Sequence, residues 1–179
     1  MFKKLILFIF LLTIMLSSCT TDERIPPQKI KPRIFPEYNI VLDEIIRSKD
    51  GVIRGVDLNS PASIINQVET EKPTEVSSNF LYFEYRIDSI INYSVSYNLI
   101  NDSLDEVEVQ INCSDLDLSS VIFCDLQTYY EKKLPNPTEI PGYVVYNCFE
   151  GQRKPFVVSL IDNSSPVKGI INLVIYKDK

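Results

Sequence analysis

The sequence predicts an α+β fold in which an antiparallel sheet is packed by two helices. Three segments, at 80–87, 92–100 and 104–113, alternate apolar and polar residues with a period of two. This alternation is typical of strands with one buried and one solvated face. A later segment, beginning at Asp115 or Asp117 and reaching about residue 134, carries apolar residues at helical spacing. Helices covering one face of a sheet are the expected way to bury both patterns.

Further elements follow from local signals before and after these segments. Residues 38–48 have the apolar spacing of a short helix, and 52–58 could form a strand. Ser60 suits an N-cap and Pro61 the first helical position of a helix that ends near Glu69. Strands are predicted at 143–149, 155–161 and 169–176. The resulting order, a helix and then three strands, occurs twice.

Turn and helix-end residues mark the boundaries of these elements. Asn101, Asp102 and Ser103 are typical of a tight turn between the second and third strands. Lys132 and Lys133 fall in the last turn of the long helix, where cations complement the helix dipole. Two prolines follow and predict its end.

The first residues have the pattern of a secretory signal. Lys3 and Lys4 precede an apolar run at 5–16, and Ser17 and Ser18 precede Cys19. A charged start, a short apolar core and small residues at the end are the features of a cleaved export signal. The run is shorter than the roughly 20 apolar residues that a membrane-spanning helix needs.

Residues 16–19, Leu-Ser-Ser-Cys, resemble the lipobox of bacterial lipoproteins. The resemblance implies a lipidation site at Cys19, where a diacylglyceryl group and usually a further acyl chain such as palmitate attach after cleavage. Thr20 stands where an Asp would favour inner-membrane retention, so the resemblance implies an outer-membrane lipoprotein. Residues 20–23 also resemble an acidic surface-export signal, which leaves periplasm-facing and cell-surface orientations open.

These features divide the chain into three parts. They are a signal peptide at 1–18, a proline-rich tether at 19–37 and a single α+β domain at 38–179. The tether contains Pro26, Pro27, Pro32 and Pro36, and proline at this density favours an extended spacer. A proline-rich ligand motif is the alternative.

Composition excludes several classes of function. The chain has a formal charge of −6 and no histidine, and removal of Lys3 and Lys4 with the signal makes the mature charge more negative. An acidic chain without a basic cluster argues against nucleic acid as a partner. Without histidine there is no Ser-His-Asp triad and no histidine-based zinc site. We therefore expect no enzyme activity, no cofactor and no metal, although carboxylate-based hydrolysis stays open.

Two acidic clusters and three cysteines are the remaining candidates for chemistry. Asp115 and Asp117 lack the glycine of a calcium loop, which favours helix capping. Asp102, Asp105, Glu106 and Glu108 form the second cluster. It is interpreted as a solvated strand face, with a glycosidase pair as the alternative. Cys113, Cys124 and Cys148 match no redox or zinc spacing, and the sequence leaves open whether two of them form a disulfide.

Tyrosines are frequent, and those on strands favour protein or glycan contact if they face outward. Alternation predicts that Tyr82 and Tyr85 point to opposite faces. In outline the predicted domain resembles small SmpA/BamE-like envelope lipoproteins and the β-lactamase-inhibitor-like fold, with residues 51–69 resembling the entry to their first helix. We expect a lipid-anchored, non-catalytic module that binds an envelope protein. The alternative is an envelope inhibitor or immunity protein that neutralises a toxin or hydrolase.

Overall fold

Eight antiparallel strands form one sheet, and the helices lie against one of its faces. The computed structural model describes residues 33–134, 136–148 and 155–178. The helices are α1 (Ile40–Ile46), α2 (Ala62–Val68) and α3 (Leu116–Lys133). The strands are β1 (Glu75–Ser77), β2 (Phe80–Arg86), β3 (Ile91–Ile100), β4 (Ser103–Cys113), β5 (Thr138–Ile140), β6 (Tyr143–Cys148), β7 (Phe156–Asp162) and β8 (Gly169–Lys177). Their order across the sheet is β1-β2-β3-β4-β8-β7-β6-β5. The α+β prediction is confirmed.

The alternation in β2, β3 and β4 separates a buried face from an outer face. Val95 pairs with Val109, which pairs with Leu173, and all three are fully buried beneath the helices. Intervening residues such as Ser94 and Gln110 point to the opposite face. Because side chains alternate strictly along a strand, the apolar positions of neighbouring strands combine into one core layer.

The β3–β4 hairpin closes as the sequence predicts. Asn101 and Asp102 have φ values of 51° and 58°. Two consecutive residues with positive φ are the requirement of a type I′ turn, whose twist matches that of the flanking strands. Asn and Asp tolerate this conformation better than other residues with a Cβ.

Two edge strands were absent from the prediction, and one predicted strand was wrong. β1 and β5 have only three residues each, all exposed, so they are too short to produce a recognisable alternation. Residues 52–58 form turns, with a single bridge between Ile53 and Val56, instead of a strand. Arg54 in this segment has a φ of 53°, which is incompatible with extended backbone.

The number and boundaries of the helices also differ from the prediction. Three helices are described, with four strands before α3 and four after it, so neither two-helix packing nor a repeated helix-plus-three-strands order is confirmed. Pro61 is the N-cap of α2 and the helix begins at Ala62. The Ser60 hydroxyl, predicted to cap this helix, accepts a hydrogen bond from the backbone N–H of Asp57 instead.

Helix α3 begins at the predicted cap but buries a different face at its start. The Asp115 carboxylate accepts a hydrogen bond from the backbone N–H of Leu118 at 3.0 Å, as an N-cap residue does. Val121, one of the apolar residues that recur at helical spacing in this segment, is 47% exposed, whereas Ser119 is buried. The small Ser119 faces the sheet because Gly169 at the start of β8 lies directly against it.

This close approach predicts that Gly169→Ala destabilises the fold. An added Cβ would lie 2.2 Å from Ser119 Oγ and 2.4 Å from Ser119 Cβ. Overpacking of this kind costs about 1–3 kcal/mol of unfolding free energy, measurable by urea denaturation. Adding Ser119→Gly removes both contacts, so the double variant should be no less stable than Ser119→Gly alone. Unchanged stability of Gly169→Ala would contradict the close packing.

The first described residues pack against α1. Arg33 Nε lies 3.1 Å from an Asp43 carboxylate oxygen, and Phe35 is buried with its ring centroid 5.2 Å from that of Tyr129. Residues 33–37, which fall within the predicted tether, therefore contact the helices. The predicted signal peptide and residues 19–32 lie outside the described residues. None of the helices in the described ranges is long and apolar enough to cross a bilayer.

Candidate functional site

The face of the sheet opposite to the helices, called here the outer face, is a candidate functional surface. The predicted lipidation site, Cys19, lies outside the described residues. Strand register places outer-face side chains in rows across the strands, such as Tyr82–Ser96–Glu108–Val174–Ser159–Val145. None of the described helices packs on this face. Its chemistry changes abruptly between β4 and β8.

The outer face of β5–β8 is mostly apolar, and we call it the apolar half; its polar members are Thr138, Asn147, Ser159 and Asn172. Among the described residues none of its side chains is charged. Most are aliphatic or tyrosine, and many are half-buried by their neighbours, while Ile140 at the edge is 58% exposed. The apolar and aromatic members are Ile140, Tyr143, Val145, Val157, Ile161, Ile170, Val174 and Tyr176. Contiguous apolar surface on a soluble domain is typical of a protein-binding site.

The outer face of β1–β4 is polar and acidic, and we call it the polar half. It carries the carboxylates of Glu75, Glu84, Glu106 and Glu108 and one cation, Arg86. Two of these carboxylates have amide partners: Asn98 Nδ2 donates to Glu106 and Asn172 Nδ2 to Glu108, each at 2.8 Å. This half therefore presents an ordered array of side chains with a net negative charge.

The acidic cluster of the sequence is distributed among separate structural roles. Asp102 accepts a hydrogen bond from the Ala62 backbone N–H at 3.4 Å, and Asp105 forms an ion pair with Lys177 at 3.0 Å. Glu106 and Glu108 lie on the outer face with the amide partners above, as the solvated-face interpretation expects. Since these carboxylates already have partners, they do not form an arrangement in which an acid and a base face a common cleft.

The second acidic pair and the cysteines show no composite site. Asp115 caps α3, and no group of three His, Cys, Asp or Glu residues suited to a metal occurs among the described residues. Cys113 and Cys148 are buried and Cys124 is exposed, and all three are free thiols. The disulfide that the sequence left open does not form in this structure.

Most of the tyrosines are buried in the core between the helices and the sheet. Tyr82 and Tyr85 do point to opposite faces, since Tyr82 lies on the outer face while the Tyr85 hydroxyl bonds to Glu69 beneath the helices. The buried tyrosines are Tyr38, Tyr93, Tyr97, Tyr129, Tyr130 and Tyr146. The outer-face tyrosines are Tyr82 on β2, Tyr143 on β6 and Tyr176 on the central strand β8.

A buried ionic cluster between the helices and the sheet was not predicted. The Glu69 carboxylate receives Arg54 Nε and Nη2, each at 2.7 Å, in a bidentate ion pair. Arg47 Nη1 donates to the same carboxylate at 2.9 Å. The side chains of Arg54 and Glu69 are 0% exposed, and that of Arg47 is 18% exposed. Bidentate pairs of this geometry are the strongest that arginine and carboxylate form.

Tyrosines from the sheet complete this cluster. The Tyr85 hydroxyl donates to Glu69 at 2.6 Å, and the Tyr97 hydroxyl donates to its other oxygen. Tyr93 stacks on Tyr85 with ring centroids 4.8 Å apart and donates to the Glu44 carbonyl. The guanidinium groups of Arg47 and Arg54 lie over the Tyr85 ring at 4.8 and 5.0 Å. The cluster thereby fastens α1 and the end of α2 to β2 and β3.

The electrostatics keep the cluster charged. Burial would raise the pKa of Glu69, but the hydrogen bond and charge of Arg54, with the two tyrosine hydroxyls, hold that pKa below its usual 4.5. Burial and the adjacent carboxylate raise the pKa of Tyr85, so its hydroxyl stays a donor. All lone pairs of the carboxylate are engaged, so Glu69 is placed to stabilise the fold and not to act as a base.

Both arginines of the cluster have left-handed backbone. Arg47 has a φ of 55° and ends α1, and Arg54 has a φ of 53°. Glycine is the residue that normally takes this conformation at the end of a helix. The guanidinium contacts with Glu69 and with backbone carbonyls of α1 compensate for the backbone strain.

Comparisons with protein-family models, with curated proteins and with solved structures found no match to this chain.

The sequence did contain one signal for the ionic cluster, because Arg54 interrupts the apolar run Val52, Ile53 and Val56. It also contained a signal for the apolar half. Successive residues of β7 and β8, such as Val157 and Val158 or Ile170 and Ile171, are all apolar, which indicates strands with two apolar faces.

Proposed function

We propose that this chain is a lipid-anchored lipoprotein of the bacterial envelope, a non-catalytic module that binds another envelope protein through the apolar half. Outer-membrane attachment at Cys19 and an extended segment beyond it are the sequence-based parts of the proposal. The observation that carries the interaction role is the uncharged, aliphatic and tyrosine-rich outer face of β5–β8. Rigid aromatic residues such as Tyr143 and Tyr176 supply contact area with little loss of entropy.

Support for a non-catalytic role comes from the state of the polar side chains. The buried carboxylate of Glu69 is saturated by donors, and Glu106 and Glu108 are bonded to amides on an open face. Catalytic carboxylates need a cleft that holds substrate between an acid and a base or nucleophile. A scaffold or accessory subunit needs only a fixed surface, which the sheet supplies.

Site-specific photo-crosslinking in cells tests the interaction surface. Benzoylphenylalanine in place of Tyr143 or Tyr176 preserves an aromatic ring on the apolar half and should give a discrete protein adduct. The same residue in place of Thr128 or Glu131, exposed on α3, should give none and is the matched control. Absence of adducts from the apolar half, or equal adducts from α3, would contradict the proposal.

The second candidate is an inhibitor or immunity protein that neutralises a basic toxin or hydrolase. The observation that favours it is the surplus of carboxylates on the polar half. Binding to a basic target is weakened by salt because exposed charges are screened. An adduct with a hydrolase whose yield falls with ionic strength would favour this candidate, and a salt-insensitive adduct with an assembly or secretion protein would favour the scaffold.

A further inference from the structure

A groove on the polar half has a lining unlike the rest of the outer face. It measures about 490 Å³, within the range of about 300–1,000 Å³ typical of small-molecule sites. It lies over the end of β2, β3 and β4 where two rows of the sheet, Glu84–Ser94–Gln110 and Arg86–Asn92–Asn112, run side by side. Tyr82 and Lys168 border it.

The amides in this groove differ in their hydrogen bonding from Asn98 and Asn172, which lie on the same face beside it. Outside the groove, Asn98 and Asn172 each donate to a glutamate at 2.8 Å. Inside it, the one amide–amide contact, from Gln110 Nε2 to Asn112 Oδ1, is 3.5 Å long, at the limit of a hydrogen bond. Among the described residues, the side chains of Asn92 and Ser94 have no hydrogen-bond partner. The groove therefore presents unused donors and acceptors in a fixed array.

Such an array matches the chemistry of a sugar. Each side-chain amide offers two donors and an acceptor in one plane, which suits adjacent hydroxyl groups of a pyranose ring. The Tyr82 ring at the border offers an apolar face for the C–H groups of the sugar. The groove has few aliphatic side chains, so it does not resemble the apolar centre of a protein interface.

The charges in the groove narrow the class of sugar. Arg86 and Lys168 oppose the single carboxylate of Glu84, so the lining carries a net positive charge on a chain whose formal charge is −6. Arg86 Nε donates to the Asp88 carbonyl, which fixes the guanidinium at the groove and leaves its terminal nitrogens free among the described residues. Lys168 forms no ion pair there. A sugar carboxylate would complement both cations.

We propose that the groove binds a short acidic carbohydrate containing uronic acid, with its hydroxyls on Asn92, Gln110 and Asn112 and its carboxylate on Arg86 and Lys168. This activity is separate from protein binding by the apolar half and does not depend on it. Each site lies on the same outer face, so one molecule can hold a glycan and a protein partner side by side.

Calorimetric titration of the detergent-solubilised mature chain tests the proposal. The probes are tetrasaccharides of galacturonate, glucuronate and mannuronate, with neutral galactose and mannose tetrasaccharides for comparison. At least one uronate should bind, and more tightly than either neutral sugar. Joint Gln110→Ala and Asn112→Ala should weaken that binding about tenfold or more, because two or more hydrogen bonds are lost. Joint Arg86→Gln and Lys168→Gln should remove the preference for the acidic sugar.

Matched variants separate this site from the rest of the face. Asn98→Ala removes an amide of the same face that already has a partner, and Val174→Ser alters the apolar half without adding a charge. Neither substitution should change uronate affinity. A variant is used only if its unfolding temperature equals that of the native chain, so that a loss of binding cannot come from unfolding. No binding of any uronate, equal binding of neutral sugars, or undiminished binding by the Gln110 and Asn112 variant would overturn the proposal. Absence of protein adducts from the apolar half would contradict the proposed protein binding but not the proposed uronate binding.

Discussion

Replacing Glu69 with glutamine is expected to lower the unfolding free energy by about 3–5 kcal/mol. The substitution keeps the shape of the side chain but removes the carboxylate that pairs with the fully buried guanidinium of Arg54. A buried charge without its partner retains its full desolvation penalty. Equilibrium denaturation by urea, followed by circular dichroism, measures the change.

A surface ion pair and a double variant provide the controls. Asp105→Asn breaks the ion pair between Asp105 and Lys177, whose side chains are 21% and 25% exposed respectively. This substitution should lower the unfolding free energy by less than about 1 kcal/mol. Joint Arg54→Met and Glu69→Met removes both buried charges and should be less destabilised than the sum of the two single methionine variants. If Glu69→Gln costs no more than Asp105→Asn, the cluster does not fasten the helices to the sheet.

The lowered pKa of Glu69 gives the same prediction a pH dependence. A carboxyl whose pKa is lower in the folded chain stabilises the fold at pH values above its unfolded pKa, near 4.5. That contribution is lost as the pH falls below 4.5 through the folded pKa. The stability gap between the native chain and Glu69→Gln should therefore be full at pH 7 and shrink at pH 3. A gap that is constant with pH would contradict a charged Glu69.

The parts of the fold that the sequence predicted are those where local pattern and tertiary structure agree. Strands β2, β3 and β4 alternate because one face is buried and the other is wet, so their boundaries were predicted to within about one residue. Asn101 and Asp102 favour the left-handed backbone of the hairpin turn without any distant contact. Asp115 begins α3 because its carboxylate accepts a hydrogen bond from the backbone N–H of Leu118.

The ionic cluster could not be predicted because its members meet only in the folded chain. Glu69 ends a short helix, Arg54 lies in a turn and Tyr97 is on a strand, and the Arg54–Glu69 ion pair spans 15 positions of sequence. The segment that contains Arg54 was predicted to be a strand, because Val52, Ile53 and Val56 favour extended backbone. The buried guanidinium requires a turn at that point, so tertiary contacts overruled local propensity.

The outer face is polar on the strands whose sequence alternates and mostly apolar on the strands whose sequence does not. In β3 and β4 the outer residues are serine, amides and glutamates, as the alternation indicated. In β7 and β8 both faces are apolar, and the strands form the centre of the apolar half. Two chemically different surfaces on one rigid sheet could engage the two proposed ligands at a fixed separation. This combination is consistent with an accessory role in the envelope.

Replacing Cys19 with serine should abolish membrane attachment, the largest effect expected of any single substitution here. Serine has no thiolate to receive the diacylglyceryl group, and each acyl chain contributes about 0.8 kcal/mol per buried methylene. Labelled palmitate should no longer be incorporated, and the chain should leave the membrane fraction after a carbonate wash. Cys124→Ser is the matched control, since Cys124 is an exposed thiol on α3 and should not affect labelling. The unfolding free energy of the domain should be the same in both variants. A Cys19→Ser chain that is still labelled or still sediments with membranes would contradict the lipoprotein proposal.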